Sequence, residues 1–281
     1  MVESSRSSPG RAANEQPVIP DVLRGGGGRP SSPLARIASA LEMELRLTSR
    51  RLENLVVTLM LPAVLLVFFG SVPALPAAAT ATPGAPPIDA VLPAILATAI
   101  VAAGLVNLGI STGFERSYGV LKRLGGSPLT RGQLMVAKIG TIVVVEAVQA
   151  VLLVGLSVAI FGWRPGTGWD PLVVVAAVAL GTGAFSALGL LLAGALRAEA
   201  TMALTNALFL LALLIGGLLV PAHQLPGMLG AFASLLPTAA LADSLRIGLG
   251  TSTGDTIGPL LLLAAWAAGT TLLTARTFRW E

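Results

Sequence analysis

One carboxylate in this sequence lies inside a long apolar run. Glu146 is the single charged residue between Ile139 and Trp163. Charged groups are costly inside a bilayer and often mark proton, ion or substrate sites. Gln149 follows about one helical turn later on the same face, and Asn107 and Asn206 in other apolar runs are candidate partners. We interpret this set as a structural polar clamp between helices or, alternatively, as a proton- or substrate-contacting site.

A second group of charges is concentrated in residues 114–134, FERSYGVLKRLGGSPLTRGQL. It consists of one acidic and four basic residues: Glu115, Arg116, Lys122, Arg123 and Arg131. A basic loop of a membrane protein can fix the topology and bind anionic lipid. That interpretation explains the basic residues but leaves Glu115 unexplained, so the segment is also a candidate docking surface for a partner.

The composition of this chain argues against a catalytic function. There are no cysteines and His223 is the only histidine, which excludes thiolate nucleophiles, cysteine metal sites and histidine clusters. The only lysines are Lys122 and Lys138, and the sequence contains no Gly-x-x-x-x-Gly-Lys-Ser/Thr loop for ATP phosphates. We therefore predict a chain that is not an enzyme, with no catalytic, metal or cofactor site. The net charge of +4 is explained by basic cytoplasmic loops, so we predict no nucleic-acid partner.

The elements that carry these residues are predicted from hydrophobicity. Hydrophobic residues make up 54% of the chain and charged residues 11%, whereas a soluble domain has about 25% charged residues. A bilayer-spanning helix needs about 20 apolar residues. Six runs predict an all-α membrane protein with six transmembrane helices within residues 54–281. The runs are Leu55–Val72, Ala90–Phe114, Ile139–Trp163, Pro171–Leu196, Ala200–Val220 and Thr256–Ala275.

The Lys and Arg residues are distributed unevenly around these runs. With both termini in the cytoplasm, all but two of the 18 Lys and Arg residues fall on the cytoplasmic side. The two exceptions are Arg164 and Arg246. Because basic residues are enriched in cytoplasmic loops, residues 114–134 are predicted to be cytoplasmic.

Two cytoplasmic pieces precede the first span. Residues 1–33 are rich in Ser, Gly, Pro and Arg, and we expect a disordered tail because they hold too few apolar side chains to fold. Residues 34–53 place apolar side chains at helical spacing among charged ones, which predicts an amphipathic helix at the membrane surface. Ser32 is its expected N-cap and Pro33 its first residue. Such a helix anchors the chain to lipid, and contact with a cytoplasmic partner is the further alternative.

Turn-forming residues indicate a defined shape for the charged segment. Phe114–Leu124 suits a helix that continues from the second span, and Gly125–Gly126 allows the backbone to turn. Ser127 is placed to cap the next helix, with Pro128 in its first position. We therefore expect a short, rigid elbow between the second and third spans, and residues 114–134 are called the elbow below.

The apolar stretch after the fifth span is interrupted by three prolines, Pro221, Pro226 and Pro237. Proline inside a helix removes a backbone hydrogen bond and clashes with the preceding turn. Residues 221–255 are therefore expected to form short helices that dip into the outer leaflet, and not a seventh span. Asp243 and Arg246 are three residues apart and can pair on one helix face.

The stretch ERSYGVLKRLGGSPLTRGQLMVAK, residues 115–138, resembles the cytoplasmic coupling region of ABC-2 type permeases, the membrane subunits of bacterial ABC exporters, in a drug-efflux-like branch. The matching positions are Glu115, Arg116, Gly119, Leu124, Pro128, Leu129, Arg131 and Lys138. Ser117 and Val120 depart from the acidic residue and the threonine often found there. The resemblance extends over about residues 35–279, and in the outer segment it includes Leu225, Pro226, Pro237 and Arg246.

The resemblance implies mechanical coupling to a separate ATPase that binds ATP and Mg. In such permeases the elbow docks on an ATPase subunit, and two ATPase copies act on two permease chains, identical or paralogous. The exported compound would be hydrophobic or amphipathic, such as a drug, a lipid or a lipid-linked substrate, and the membrane a bacterial plasma membrane. The candidate docking and coupling residues are Glu115, Arg116, Tyr118, Gly119, Leu121, Lys122, Arg123, Leu124, Ser127, Pro128 and Arg131. We expect Glu115, as an exposed charge, and Arg116 to make charged contacts with the ATPase or with the amphipathic helix. Apolar surface for a groove on the ATPase is expected from Tyr118, Val120, Leu121 and Leu124.

An ion-coupled secondary transporter is the alternative to an ATP-driven permease. Such a carrier would use Glu146 to couple an ion gradient to transport, although carriers usually combine several intramembrane charges with broken helices. It would also leave the elbow unexplained. An intramembrane enzyme has weaker support, because the spans contain no cysteine or histidine.

Overall fold

The computed structural model describes residues 32–50, 52–72, 85–125, 130–218 and 220–277, and every regular element among them is helical. The predicted all-α membrane fold is confirmed. The predicted tail lies almost entirely outside these described residues. The helices are α1 (Pro33–Arg50), α2 (Leu52–Ser71), α3 (Pro87–Val101), α4 (Leu108–Ser117), α5 (Val120–Gly125), α6 (Arg131–Phe161), α7 (Pro171–Ala195), α8 (Ala198–Ile215), α9 (Gly227–Ala233), α10 (Pro237–Gly248) and α11 (Ile257–Thr277).

Five of the described helical stretches are long and apolar enough to cross a membrane, and they correspond to the predicted second to sixth spans. The first of them is continuous from Pro87 to Ser117, because a π-helical turn, Ala102–Asn107, joins α3 to α4. The predicted first span lies in α2, whose apolar part, Thr58–Ser71, is shorter than these five stretches. α9 and α10 are long and apolar enough to span a membrane only when they are taken together as a bent pair. If that pair is counted as one span, the described residues contain up to six spans.

Two helix boundaries differ from the prediction because of local backbone chemistry. α6 begins at Arg131, three residues after Pro128, the predicted first position of this helix, and a capping box explains this: the Gln133 N–H donates to Thr130 Oγ1 (3.3 Å) and the Thr130 N–H donates to Gln133 Oε1 (3.0 Å). α8 ends at Ile215 and not at Val220. Gly217 follows with a φ of +75°, a left-handed conformation that does not continue a helix.

The amphipathic helix α1 begins as predicted. Pro33 is its first residue, and the Ala35 N–H donates to Ser32 Oγ at 3.2 Å, the contact expected of an N-cap. The helix packs against α6. A Cβ added to Gly140 of α6 would lie 3.2 Å from Leu41 Cδ1 of α1, so the two helices are in close contact. The position of α1 at a lipid surface stays a prediction.

The core of the fold is built around α7, which contacts α4, α10, α11 and the π-helical turn. Glycines allow its backbone to approach the second span. A Cβ added to Gly189 would lie 2.6 Å from the Gly104 carbonyl oxygen, and one added to Gly104 would lie 2.8 Å from the Ser186 nitrogen. This is the small-residue packing expected between membrane helices. It fixes how α7 is rotated against the helix that carries the elbow.

The segment after α8 forms short helices, as predicted. A 3₁₀ turn, Ala222–Gln224, is followed by α9 and α10, whose axes differ by 78°. Pro226 precedes α9, and Pro237 is the first residue of α10, where its missing N–H costs nothing. Leu225 packs against a small cluster of buried alanines. The depth of these helices in the outer leaflet stays a prediction.

Candidate functional site

The elbow contains a break that the sequence analysis did not predict. α4 ends at Ser117, and the next helix, α5, begins at Val120. Between them Gly119 has a φ of +70°, and its N–H donates to the Arg116 carbonyl oxygen at 3.0 Å. The predicted uninterrupted helix from Phe114 to Leu124 is therefore wrong, because a glycine in the left-handed conformation ends α4.

The second half of the elbow is described only in part. The N-cap of α6 is Thr130, so the prediction that Ser127 caps the following helix is wrong for α6. Ser127 and Pro128 themselves lie outside the described residues. The same holds for three side chains that were predicted to take part in docking: Arg123, Leu124 and Arg131.

Lys138 joins three helices at the base of the elbow. Its Nζ atom lies 2.7 Å from Glu115 Oε2 of α4 and 2.9 Å from Glu44 Oε1 of α1. The Lys138 side chain is 3% exposed, and those of Glu44 and Glu115 are 13% and 21% exposed. A buried ammonium needs charged or polar partners, and here two carboxylates supply them. Charge-assisted hydrogen bonds therefore connect α1, α4 and α6.

These contacts correct the expected role of Glu115. It was predicted to be an exposed charge, and this is wrong because its side chain is only 21% exposed and pairs with Lys138. One predicted contact, with the amphipathic helix, is made indirectly through Lys138 and Glu44. Lys138 was among the positions that match the permease motif, but neither Lys138 nor Glu44 was predicted as a site residue. The available signal was that Lys138 is flanked by the apolar residues Leu134–Ala137 and Ile139, since a lysine in apolar surroundings implies an acidic partner.

Arg116 attaches the elbow to a fourth helix. Its Nη1 atom donates to the carbonyl oxygens of Ala193 (2.9 Å) and Gly194 (2.6 Å). Both carbonyls belong to the last turn of α7, where backbone acceptors have no partner within the helix and a cation is favoured by the helix dipole. Arg116 was predicted to contact an ATPase or the amphipathic helix, whereas the structure shows it bound to α7.

The outer face of the elbow combines exposed and buried residues. Tyr118 is 72% exposed and Val120 39% exposed, and Lys122 is also exposed. Leu121 is completely buried, so its predicted place in an apolar docking face is wrong. Docking of the remaining residues on a partner stays a prediction.

A cleft with a volume of about 600 Å³ opens beside the elbow, between α2, the second span and α6. Glu115 and Tyr118 line one end, and Asn107 of the π-helical turn lines the cleft deeper in the span. Phe114 also lines it, and its ring stacks on that of Tyr118 with 6.0 Å between the ring centroids. The cleft therefore brings apolar walls and a carboxylate to the same place.

Glu146 is buried between α6 and α7. The Thr182 hydroxyl donates to Glu146 Oε2, while Oε1 has no hydrogen-bond partner among the described residues. Gln149 lies on the same helix and donates from Nε2 to the Thr58 carbonyl oxygen of α2 at 2.8 Å. The two polar residues thus connect α6 to α7 and to α2, which is the arrangement of a polar clamp.

The two asparagines do not take part in this clamp. Asn206 is exposed on α8, and its Nδ2 atom donates to the Met202 carbonyl oxygen in the same helix at 2.8 Å. Asn107 lines the cleft. The prediction that either asparagine pairs with Glu146 is wrong, since Thr182 takes that place.

The predicted ion pair in the outer segment is confirmed. Arg246 Nη1 lies 2.7 Å from Asp243 Oδ1. Arg246 Nη2 also donates to the carbonyl oxygens of Gly217 and Leu218, at 2.9 Å each. Because these carbonyls follow the end of α8, the buried guanidinium holds α10 against that end.

Comparison with known protein families identifies the family of this chain. No curated protein matched the chain. The protein-family model described as ABC-2 type transporter matches residues 36–249. The match includes most of α1, the whole elbow and the outer segment up to the end of α10, and it covers more than half of the 281 residues. The chain therefore belongs to the ABC-2 type transporter family and is a multi-pass membrane component of an ABC transporter.

Proposed function

We propose that this chain is the permease subunit of an ATP-driven exporter, and that its elbow docks on a separate ATPase subunit. The sequence contains no P-loop, so ATP and Mg would be bound by the ATPase. Two ATPase copies and a second permease chain, identical or paralogous, would complete the transporter in a bacterial plasma membrane. The cargo would be a hydrophobic or amphipathic compound such as a drug, a lipid or a lipid-linked molecule.

This proposal is supported by the charged contacts that hold the base of the elbow against neighbouring helices. Lys138 connects it to α1 and α6, and Arg116 connects it to α7. A short segment held to three helices by charged contacts cannot move alone. Displacement of the elbow would therefore displace α1, α6 and α7 together.

The exposed part of the elbow has the composition of a small docking surface. Tyr118 and Val120 offer apolar area, and Lys122 adds an exposed positive charge. Aromatic anchors contribute much of the binding energy at protein interfaces, and charges at the rim fix orientation and association rate. ATP-driven closure of two ATPase subunits would push on this surface and tilt the attached spans, which would move cargo outward.

The direct test uses a charge placed on the docking surface. We expect Val120→Asp to lower co-purification of the ATPase and ATP-dependent export about tenfold, since an unpaired polar group buried in an interface costs about 1–3 kcal/mol. Thr277→Asp is the matched control, because Thr277 is exposed at the end of α11, on the same predicted side, and is not part of the elbow. Normal co-purification and export in Val120→Asp would refute docking through the elbow.

Ion-coupled transport through Glu146 is the competing function. Glu146 is enclosed between α6 and α7 and is not among the described residues that line the cleft, whereas a coupling ion must exchange with water. Export that stops on ATP depletion and continues when ionophores dissipate ion gradients supports the exporter. The reverse result would support the carrier.

A further inference from the structure

We propose that the cleft beside the elbow is a binding site for an amphiphile with an ammonium head group. The site lies at the elbow end of the second span, between α2, α4 and α6. This proposal goes beyond the transport function, because it concerns a ligand whose binding can be measured with the full-length chain in the absence of ATP.

The cleft has the dimensions and walls for an apolar tail. Its volume of about 600 Å³ lies within the range of about 300–1,000 Å³ that ligand sites occupy. Leu108, Ile142 and Val145 form apolar walls on the second span and α6. Polar groups also line the cleft, namely the amide of Asn107 and the hydroxyls of Thr48, Thr58, Ser111 and Thr141. The apolar walls suit an alkyl chain, and the hydroxyl and amide groups suit the polar part of an amphiphile.

The end of the cleft at the elbow has the chemistry for a cationic head group. The rings of Phe114 and Tyr118 are stacked with their centroids 6.0 Å apart and their planes 30° apart, and Glu115 lies between them in the sequence and lines the same cleft. Aromatic faces attract ammonium groups through their quadrupoles, and a carboxylate adds charge attraction. Aromatic rings combined with an acid are typical of ammonium recognition.

The local charge favours a cation over an anion. Lys138 carries one positive charge and contacts two carboxylates, those of Glu44 and Glu115, so this ionic group has a net negative charge. Glu115 is the only charged side chain among the described residues that line the cleft. This ionic group attracts an ammonium and repels a carboxylate or a phosphate monoester.

Two sources could supply this chemistry, an aminophospholipid of the bilayer or a cationic amphiphile that the transporter moves. Both would place an alkyl chain between the helices and an ammonium group at Phe114, Glu115 and Tyr118. The experiment therefore tests first the shared chemistry and then the source.

The test uses two photoreactive probes with the same diazirine-bearing alkyl tail, one an amine and the other a carboxylate. The full-length protein is placed in vesicles of phosphatidylglycerol, whose head group has no ammonium. Labelling of residues 107–118 and 141–145 is measured by mass spectrometry and normalised to labelling of lipid-facing peptides elsewhere. We expect about tenfold more normalised labelling by the amine than by the carboxylate.

Variants separate the cleft from the general lipid surface. Ile142→Trp fills the cleft and should abolish the preferential labelling. Val148→Trp is the matched control, because Val148 lies on the same helix, is 53% exposed and is not among the residues that line the cleft. Tyr118→Leu should remove most of the preference for the amine while leaving the ion pairs of Glu115 intact. Glu115→Gln should do the same, but it also alters the contact with Lys138.

Equal labelling by the two probes, or unchanged labelling in Ile142→Trp, would overturn the proposed site and would leave docking on the ATPase unaffected. The source is then identified with the ATPase present. Competition by added phosphatidylethanolamine, with labelling unchanged during ATP turnover, assigns the site to a bilayer lipid. A fall in labelling during ATP turnover, with the amine recovered from the far leaflet, assigns it to transported cargo.

Discussion

Replacing Lys138 with methionine tests the ionic group at the base of the elbow. The substitution keeps most of the length of the side chain and removes the ammonium group that Glu44 and Glu115 share at 2.9 and 2.7 Å. Two carboxylates would then face each other, 13% and 21% exposed, without a counterion. Breaking a buried ion pair by removing one partner costs about 3–5 kcal/mol. Since about 2–4 °C of melting temperature corresponds to 1 kcal/mol in domains of this size, we expect a fall of about 6–20 °C.

The matched control neutralises the whole group. The triple variant Glu44→Met, Glu115→Met and Lys138→Met has no charge left in this group, and exchanging a complete buried ionic group for hydrophobic side chains of similar volume is often nearly neutral for stability. We expect its melting temperature to lie within about 4 °C of the unmodified protein, a difference of about 1–2 kcal/mol. Glu44→Gln alone leaves Lys138 paired with Glu115, and we expect an intermediate loss of about 1.5–3 kcal/mol, the usual contribution of a charged hydrogen bond.

Thermal unfolding in detergent, followed by tryptophan fluorescence, gives these melting temperatures, and ATPase co-purification is measured on the same samples. The triple variant separates stability from coupling. We expect it to fold and to transport poorly, because α1, α4 and α6 are no longer held together by charge. A melting temperature of Lys138→Met equal to that of the unmodified protein would refute the ion group as a structural junction. A triple variant that melts at the same lowered temperature as Lys138→Met would refute it as well.

Three further predictions follow from the fold. Gly119→Val should weaken ATPase co-purification more than Gly119→Asn, because a β-branched residue tolerates the φ of +70° poorly. The space around a Cβ there is open, so only the backbone conformation distinguishes the two variants, and equal effects would contradict the prediction. Gly189→Leu should impair folding and membrane accumulation, since a Cβ would lie 2.6 Å from the Gly104 carbonyl oxygen, and normal protein levels would disprove the close contact. A reporter fused after Glu281 should read cytoplasmic and one inserted at Pro83 external; either result reversed would reject the predicted topology.

Local features of the fold were predictable because they depend on residues close together in the sequence. Long uncharged runs locate the membrane helices, since each helix must be apolar over its own length to lie in lipid. Ser32 caps α1, and Asp243 pairs with Arg246, because both contacts join residues three positions apart. Prolines exclude a continuous helix after α8 by removing backbone donors within that segment.

Some local predictions were wrong where two local signals competed. Gly119 was treated as part of a continuous helix, yet its left-handed conformation ends α4. Ser127 and Thr130 are both plausible N-caps, and Thr130 caps α6 because Gln133 is placed three residues later to complete the capping box. Propensity alone does not choose between such neighbours, because the difference between them is small and the surrounding structure decides it.

The partners of the charged and polar residues were decided only by the tertiary structure. Lys138 meets Glu115 from 23 residues away, and Glu146 meets Thr182 across 36 residues. Hydrophobic periodicity shows which face of each helix is apolar, but it does not fix how far two helices slide or rotate against each other. In this fold the close contact of Gly189 with Gly104 sets that register for α7 and the second span, and a shift of one residue would turn each side chain by about 100° around its helix. The register of the packed helices, and not the identity of any single residue, therefore determines which acid faces which base.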